Sequence, residues 1–469
     1  MGWWLLYPAG IVWIAVNAVV IIMQRRPAAS TIAWLMVLTF LPVVGLGIYI
    51  LIGPLSLHRR RRKRTISQRI VDEGTRGLAR LDHEAEHHQL AMVSIGLGGP
   101  PPLLAEDVEL YFDGKSAYAA IFAAIRAAVD HVHVAYYIWE PDHIGTALRD
   151  LLIERARAGV RVRVLLDSTG SSHLHRSFLK PLRAAGVQVA WFNPIRLRTL
   201  PRGRRVDFRM HRKIVICDGA VGFTGGMNIA DVHTEEFSRD YWRDTNLRLV
   251  GTAVWPLQRI FFEDWYFAAE ELLEVTVATL PPPAREGAHL VQVVASGPDA
   301  LTLAIQKVFF TAINQAQSRL WLTTPYFVPD DALLTALCTA SLRGVDVRVL
   351  VPRKGDSRLV DWANRSYFPE LLDARVRVFE YKPRFIHAKT LVCDGDISIV
   401  GTANFDNRSF RLDFELSALL FGAQCNARLA RQYELDLVDA DELDRARLLR
   451  QSFVQRFGQA SARLLSPLL

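Results

Sequence analysis

The residues His211-Arg-Lys213-Ile-Val-Ile-Cys-Asp218 return 176 positions later as His387-Ala-Lys389-Thr-Leu-Val-Cys-Asp394. Seven positions past each Asp the runs continue as Gly225-Gly226-Met-Asn228 and Gly401-Thr402-Ala-Asn404. One H-x-K-x4-D is weak, but two with the same downstream Gly-(Gly/Thr)-x-Asn demand a duplicated fold and point to one composite site. Other wording repeats too: Arg157-Ala-Gly159-Val-Arg-Val-Arg-Val164 corresponds to Leu342-Arg-Gly344-Val-Asp-Val-Arg-Val349. The offset is 185 at these glycines and 176 at the histidines, so the copies differ by insertions and deletions.

Hydrophobic periodicity predicts helix over 115–130, strand over 132–138, helix over 146–158 and strand over 160–166. The second copy repeats this order as helix 300–317, strand 320–328, helix 331–342 and strand 345–351. Alternating strands and helices give an α/β fold with a sheet in each half, the two sheets packing about a pseudo-twofold axis. The expected halves are 106–280 and 281–469, the latter ending in a helical segment, with the joint near 279–286 where Pro281, Pro282 and Pro283 interrupt the pattern. Residues 1–64 and a polar connector over 65–105 precede them.

Residues 3–23 and 31–53 carry no charge. Each stretch has about the 20 residues that a helix needs to cross a bilayer core. Joined by a short turn holding Arg25 and Arg26, they are expected to form a transmembrane hairpin. A signal peptide is disfavoured by the missing basic start, the length and the second span. Arg59, Arg60, Arg61, Arg62, Lys63 and Arg64 follow the second span, so the positive-inside rule puts the C-terminal portion in the cytoplasm. The expected location is therefore a membrane, with the larger portion facing the cytoplasm. The same cations suit either a topology signal alone or an added gathering of anionic lipid. Pro42, Gly45 and Gly47 leave a re-entrant second stretch as the alternative.

A net charge of +8 favours acidic partners, whether nucleic acid, anionic lipid or phosphorylated metabolites. Cys217, Cys338, Cys393 and Cys425 form no C-x-x-C pair and are taken as small core residues, neither disulfides nor metal ligands. His83-Glu-Ala-Glu-His87 matches H-E-x-x-H, but its polar neighbours and missing third ligand argue against a zinc site.

A neutral imidazole can attack phosphorus to form a phosphoramidate, dividing one displacement into two. A second imidazole protonates the leaving oxygen and then takes a proton from the acceptor. Lys213 and Lys389, two positions along a strand from the histidines, are expected on the same face, at the phosphate oxygens. Asn228 and Asn404 add neutral donors. Asp218 and Asp394 complete the motifs, although the following glycine favours a turn or capping role over phosphate chemistry. Gly225, Gly226 and Gly401 suit a close backbone approach near the phosphate or simply a turn. Each ring needs an acceptor on its second nitrogen, for which Asp244 and Glu415, opening the strand after each motif, are the candidates. The pattern is symmetric and leaves the order of the two histidines open.

On these residues, and on Tyr136-Tyr-Ile138, Phe223-Thr-Gly-Gly-Met-Asn-Ile-Ala230 and Gly401-Thr-Ala-Asn-Phe-Asp-Asn-Arg-Ser409, nearly the whole chain resembles the phospholipase D superfamily. With the N-terminal hairpin it is similar to the bacterial cardiolipin synthases. The resemblance implies two phospholipase D-like halves, transfer of a phosphatidyl group between two phosphatidylglycerol molecules with release of glycerol, and no metal or other cofactor. It also implies His211 as nucleophile and His387 as acid/base. Competing readings are a phospholipase D-type hydrolase, a nucleic-acid phosphodiesterase, which gives no reason for membrane spans, and a lipid-binding scaffold with a dead site, which the intact motifs oppose. The seven arginines between Arg196 and Arg212 make an unusually basic approach to the first motif.

Overall fold

A computed structural model describes residues 3–24, 28–52, 89–194, 207–273, 289–300 and 302–467. These fall into two units, the N-terminal helices in one, and residues 89–194 with 208–467 in the other. Arg25, Arg26, the basic run 59–64, His83–His87, Arg196–Arg205 and the expected joint at 279–286 lie outside the described residues.

In the N-terminal unit the first uncharged stretch is one helix, α1 (Trp3–Ile22), while the second divides at Leu41 into α2 (Ala28–Phe40) and α3 (Pro42–Ile52). Proline is tolerated in the first turn of a helix and not in its interior, so the chain breaks before Pro42. Gly45 lets α3 close on α2, since a Cβ there would lie 2.8 Å from the Val37 carbonyl oxygen. Ile21, Leu38 and Tyr49 are buried together, and the Trp13 indole donates to the Leu38 carbonyl at 3.2 Å. The second stretch is thus a bent pair of helices rather than one straight span. The side chains of α1 are described from Ile11 onward, and among the described residues no helix is long and apolar enough to cross a membrane.

In the larger unit α4 (Gln89–Gly96) and β1 (Leu103–Ala105) lead into the first repeat. That repeat contains β2 (Asp107–Tyr111), α5 (Gly114–Ala127), β3 (His131–Tyr136), α6 (His143–Arg157), β4 (Arg161–Asp167), α7 (Arg176–Ala184), β5 (Gln188–Phe192), β6 (Arg209–Met210), β7 (Ile214–Cys217), β8 (Val221–Gly225), β9 (Asn246–Val250) and α8 (Trp255–Ala269). The second runs through β10 (His289–Ser296), α9 (Ala304–Gln315), β11 (Arg319–Thr323), β12 (Phe327–Val328), α10 (Asp331–Leu342), β13 (Asp346–Pro352), α11 (Arg358–Ser366), α12 (Phe368–Asp373), β14 (Arg377–Tyr381), β15 (Thr390–Cys393), β16 (Ile397–Gly401), β17 (Phe405–Asp406), α13 (Asn407–Arg411), β18 (Asp413–Phe421) and α14 (Ala423–Val438). It closes with β19 (Ala440–Glu442), α15 (Arg445–Leu449) and α16 (Phe453–Arg463).

The two sheets match strand for strand. The order β2-β9-β8-β7-β3-β4-β5 of the first repeat returns as β10-β18-β16-β15-β11-β13-β14, with β1 and β19 added at the edges of the second sheet. In each, the last three strands are parallel, and the remaining pairs are antiparallel. The sheets approach one another where β16 meets β8 and β9.

Local chemistry repeats with the topology. Asp142 and Asp330 accept from Gly145 N at 2.9 Å and Leu333 N at 3.0 Å, capping α6 and α10. Both helices end at a glycine with positive φ, Gly159 and Gly344, and six-residue closures join Val160 N to Arg155 O and Val345 N to Ala340 O. That is why the Gly-Val wording recurs. The strand expected over 320–328 is instead two, because Pro325 has no N–H for the ladder. The chain leaves β11 after Thr323, and β12 pairs with β17.

Each sheet buries its own core, with Ile121, Val134, Leu148 and Val164 in the first and Ile305, Leu337, Val349 and Leu391 in the second. Every such side chain contributes about 1.5–3 kcal/mol of burial. Cys217, Cys393 and Cys425 are buried and Cys338 half-buried, all as free thiols.

Candidate active site

The two H-x-K runs lie immediately before β7 and β15, and each docks on the other repeat. Strand β6 runs parallel to the start of β18, and His211 N donates to Phe414 O at 2.9 Å. Reciprocally, Ile386 bridges Arg243, and His387 N donates to Arg243 O at 2.7 Å. Thus the lysines do not continue a regular strand, as the spacing suggests. Instead each curls back on its own motif, Lys213 Nζ donating to His211 O at 2.7 Å and Lys389 Nζ to His387 O.

The docking crosses the orienting carboxylates. His211 Nδ1 lies 2.9 Å from Glu415 Oε1, and His387 Nδ1 lies 2.6 Å from Asp244 Oδ2, so each ring is held by the opposite repeat. An ionised carboxylate only accepts, which puts a hydrogen on each Nδ1 and leaves each Nε2 with a lone pair. Glu415 also accepts from the Thr402 hydroxyl, and Asp244 Oδ1 from Thr245 N at 2.7 Å. Gly226 stands where Thr402 does in the other copy, and a Cβ there would lie 2.1 Å from Asp244 Oδ1. Carbons at Gly225 and Gly401 would meet Thr245 O at 2.4 Å and Leu416 O at 2.6 Å. These glycines therefore admit the strand that carries the carboxylate.

Burial is the first cause of the shifts of the motif histidines and lysines. It pushes His211 down to about 4 against the pull of Glu415, and His387 well below the imidazole range, where Lys389, Lys213 and His211 lower it further. Both rings are neutral at pH 7. Burial also brings Lys213 down to about 7 and Lys389 down to about 8, opposed by Glu415 and Asp244. Lys389 depresses both His211 and Lys213, so the two motifs share one electrostatic environment. The carboxylates differ. Burial opposes ionisation of both, yet His211 and Lys213 hold Glu415 below its usual range, whereas Asp244 stays raised despite Lys389 and His233.

Asp218 and Asp394 are not brought to this site. Asp218 accepts from the backbone of Val129, Asp130 and His131 at 2.8–2.9 Å, and Asp394 from Gln317, Ser318 and Arg319 at 2.7–3.1 Å. Each clamps the start of β3 or β11, five residues and roughly 16 Å of strand beyond its lysine. Asn228 and Asn404 are buried just past β8 and β16. Their backbone N–H groups donate to residues five positions on, His233 Nε2 and Ser409 Oγ, both at 3.1 Å. The Asn404 side-chain oxygen is buried and has no hydrogen-bond partner among the described residues. Arg212, in the basic approach, is fully buried with both Nη1 bonds on Asp264, at 2.6 and 2.5 Å, so it ties α8 to the site instead of meeting headgroups.

Sequence reasoning missed His233, Trp242, Phe385 and Tyr137. Accepting from Asn228 N, His233 carries its hydrogen on Nδ1, 3.7 Å from Asp244 Oδ2. Trp242 packs 4.9 Å from the His387 ring, with Phe385 beside both, and Tyr137 packs 4.9 Å from His211. The shared Asn-x4-(His/Ser) spacing was the one available signal for His233. His233, Asp244 and His387 offer ligand atoms within 4.8 Å of one another, but a cation there would have to displace the His387–Asp244 hydrogen bond.

Two family models match the chain, "Cardiolipin synthase, PLD-like domain" over residues 121–248 and 309–437, and "Phospholipase_D-nuclease N-terminal" over residues 11–54. A protein named cardiolipin synthase from Geobacillus kaustophilus (strain HTA426) is 40% identical over 461 residues, covering 96% of this chain and 91% of the relative. Another of that name, from Alkalihalophilus pseudofirmus, is 39% identical over 466 residues with the same coverage. Among solved structures, the phosphatidylserine synthase of Haemophilus influenzae Rd KW20 matches with a TM-score of 0.63 at 16% identity, over 81% of this chain and 100% of that one. At that identity the likeness concerns the fold.

Proposed function

The chain belongs to the cardiolipin synthase family of phospholipase D-like enzymes, and from that premise we propose how its crossed site transfers a phosphatidyl group from one phosphatidylglycerol to another. The observation that carries the reading is the pair of neutral, carboxylate-held imidazoles, one from each repeat, with two buried lysines between the same charges.

His211 Nε2 attacks the phosphorus of the first lipid, and the bond from phosphorus to the glycerol oxygen breaks. The departing oxygen takes a proton from His387, and free glycerol leaves a phosphatidyl group on His211. The terminal hydroxyl of a second phosphatidylglycerol then gives its proton to His387 while its oxygen attacks phosphorus. The P–N bond breaks, its electron pair returns to Nε2, and cardiolipin is released. Lys213, Lys389, Asn228 and Asn404 serve the phosphate oxygens. His387 starts neutral because burial and the lysines depress it; a bound phosphodiester anion offsets those cations and lets the ring take up its proton. Asp244, raised where Glu415 is lowered, supports assigning the proton-carrying role to the second pair.

The setting is the bacterial cytoplasmic membrane, and the positive charge of residues 59–64 favours the cytoplasmic side for the larger portion of the chain. Support comes from the outward apolar side chains of the N-terminal unit, among them Val12, Val19 and Val43, all more than half exposed. The test is product analysis. Purified protein in phosphatidylglycerol vesicles is expected to yield cardiolipin and glycerol in equal amounts, and phosphatidic acid as sole product would show that water is the acceptor instead.

A further inference from the structure

Helix α16 packs the wrong way round for a soluble protein. Its inward face is small or polar: Gln459 and Ala462 are buried, and Gly458 seats on the Trp362 ring of α11, where an added Cβ would lie 3.1 Å from the ring. Its outward face is apolar, with Phe453 73%, Phe457 64% and, just past its end, Leu464 80% exposed, the two phenylalanine rings stacked at 6.0 Å. Positions 453, 457 and 464 fall on one side of a helix. A soluble helix of this amphipathic type turns the other face to water.

The helix on which α16 packs is linked to the site. Helix α11 is tied to β12 by the Asn364 side chain accepting from Phe327 N at 3.0 Å. Phe327 pairs with Phe405, the residue after Asn404. Just before α11, Asp356 accepts from the Tyr326 hydroxyl at 2.6 Å and acts on Lys389. Exposed cations flank the apolar side chains, Lys354 and Arg358 at the start of α11, Arg450 and Arg456 around α16. The neighbouring acids are engaged, Asp361 with Gly355 N and Glu370 with Arg463.

We propose that α16 and the start of α11 form an interfacial docking surface that lies in the headgroup layer of an anionic membrane and brings the mouth of the site to its lipid substrate. An apolar face rimmed by arginine and lysine is the chemistry of a helix lying in a membrane surface, where apolar burial and attraction to anionic headgroups add. The proposal rests on the lipid-transfer reading, and its test is separable from it.

The full chain, with Phe457→Cys labelled by an environment-sensitive fluorophore in a Cys338→Ser background, is reconstituted in phosphatidylglycerol vesicles containing lipids brominated in the acyl chain. Quenching of that label, with none for a label at exposed Glu154, is the expected result. An unquenched label at 457 in vesicles that still make cardiolipin overturns the docking surface and leaves the reaction intact. As a second reading, Phe453→Asp with Phe457→Asp is expected to lower the rate on vesicles about tenfold while short-chain phosphatidylglycerol dispersed in detergent is turned over within twofold of the parent. Equal rates on both substrates would likewise overturn it.

Discussion

The two motif sites share a frame but not a lining. In the first, His211 is held by a glutamate that is itself latched by the Thr402 hydroxyl, with Tyr137 against the ring. In the second, His387 is held by an aspartate that lacks the counterpart of that latch, since Gly226 takes the threonine's place, and His233 and Trp242 stand behind. The first carboxylate is kept ionised by its neighbours and the second is raised by burial. A duplicated scaffold has thus kept its hydrogen-bonding skeleton while its two proton positions diverged. Crossing the carboxylates also makes the repeats interdependent: neither ring is oriented unless the other repeat is folded against it.

The comparison breaks first at the histidines. His211→Ala is expected to lower turnover by at least about 10⁴-fold, and His387→Ala by about 10²–10⁴-fold, with a leaving group of low pKa restoring the latter alone. Rates with phosphatidylglycerol and an activated phosphatidyl ester would separate them; restoration of His211→Ala would reverse the roles.

Loss of a carboxylate comes next. Asp244→Asn is expected to cost roughly 10³-fold by disturbing His387, although the two lie in different repeats. Combining it with His387→Ala should add almost nothing, and a leaving group of low pKa should restore Asp244→Asn as it restores His387→Ala. Turnover of the single and double variants with both esters checks this, and fully additive losses for Asp244→Asn with His387→Ala would refute the pairing.

The pH profile sharpens the shared electrostatics. In the proposed reaction the lysines serve as cations, and burial has lowered them to about 7 and about 8, so kcat/KM is expected to fall as pH rises through that window. On the acid side the proposed nucleophile is lost only near 4, where His211 protonates. An alkaline limb near the ordinary lysine range would mean that these ammonium groups are not buried together.

Smaller effects follow. Thr402→Val removes one hydroxyl from Glu415, about 1 kcal/mol or fivefold in rate, while Thr402→Ser should keep it. Asp218→Asn and Asp394→Asn are expected to leave kcat within about twofold and lower stability by about 1–2 kcal/mol each, read by thermal unfolding. Asp394 is lowered by backbone and Ser318 donors in spite of burial, so its contribution is present at neutral pH and fades as acid protonates it below the ordinary aspartate range.

Much of this was legible in the sequence because it is local or repeated. The H-x-K wording, the strand and helix periods and the capping glycines Gly159 and Gly344 recur, and recurrence separates signal from chance. Asp244 and Glu415 were legible as carboxylates opening a strand. Their crossing was not, because each hydrogen bond spans more than a hundred residues, 204 for His211–Glu415 and 143 for His387–Asp244. Arg212 reads as one more surface cation until Asp264, 52 residues on, is folded against it. The break at Pro325 and the bend before Pro42 follow from the missing proline N–H, which periodicity alone does not weigh.

In the proposed reaction one phosphatidyl group resides on His211 while His387, from the other repeat, moves the proton. Intact-mass and peptide mapping of the His387→Ala variant, quenched during turnover of phosphatidylglycerol, reads this covalent step itself. A phosphatidyl adduct is expected on the peptide that carries His211; its absence, or its presence elsewhere in the chain, would refute transfer through that histidine.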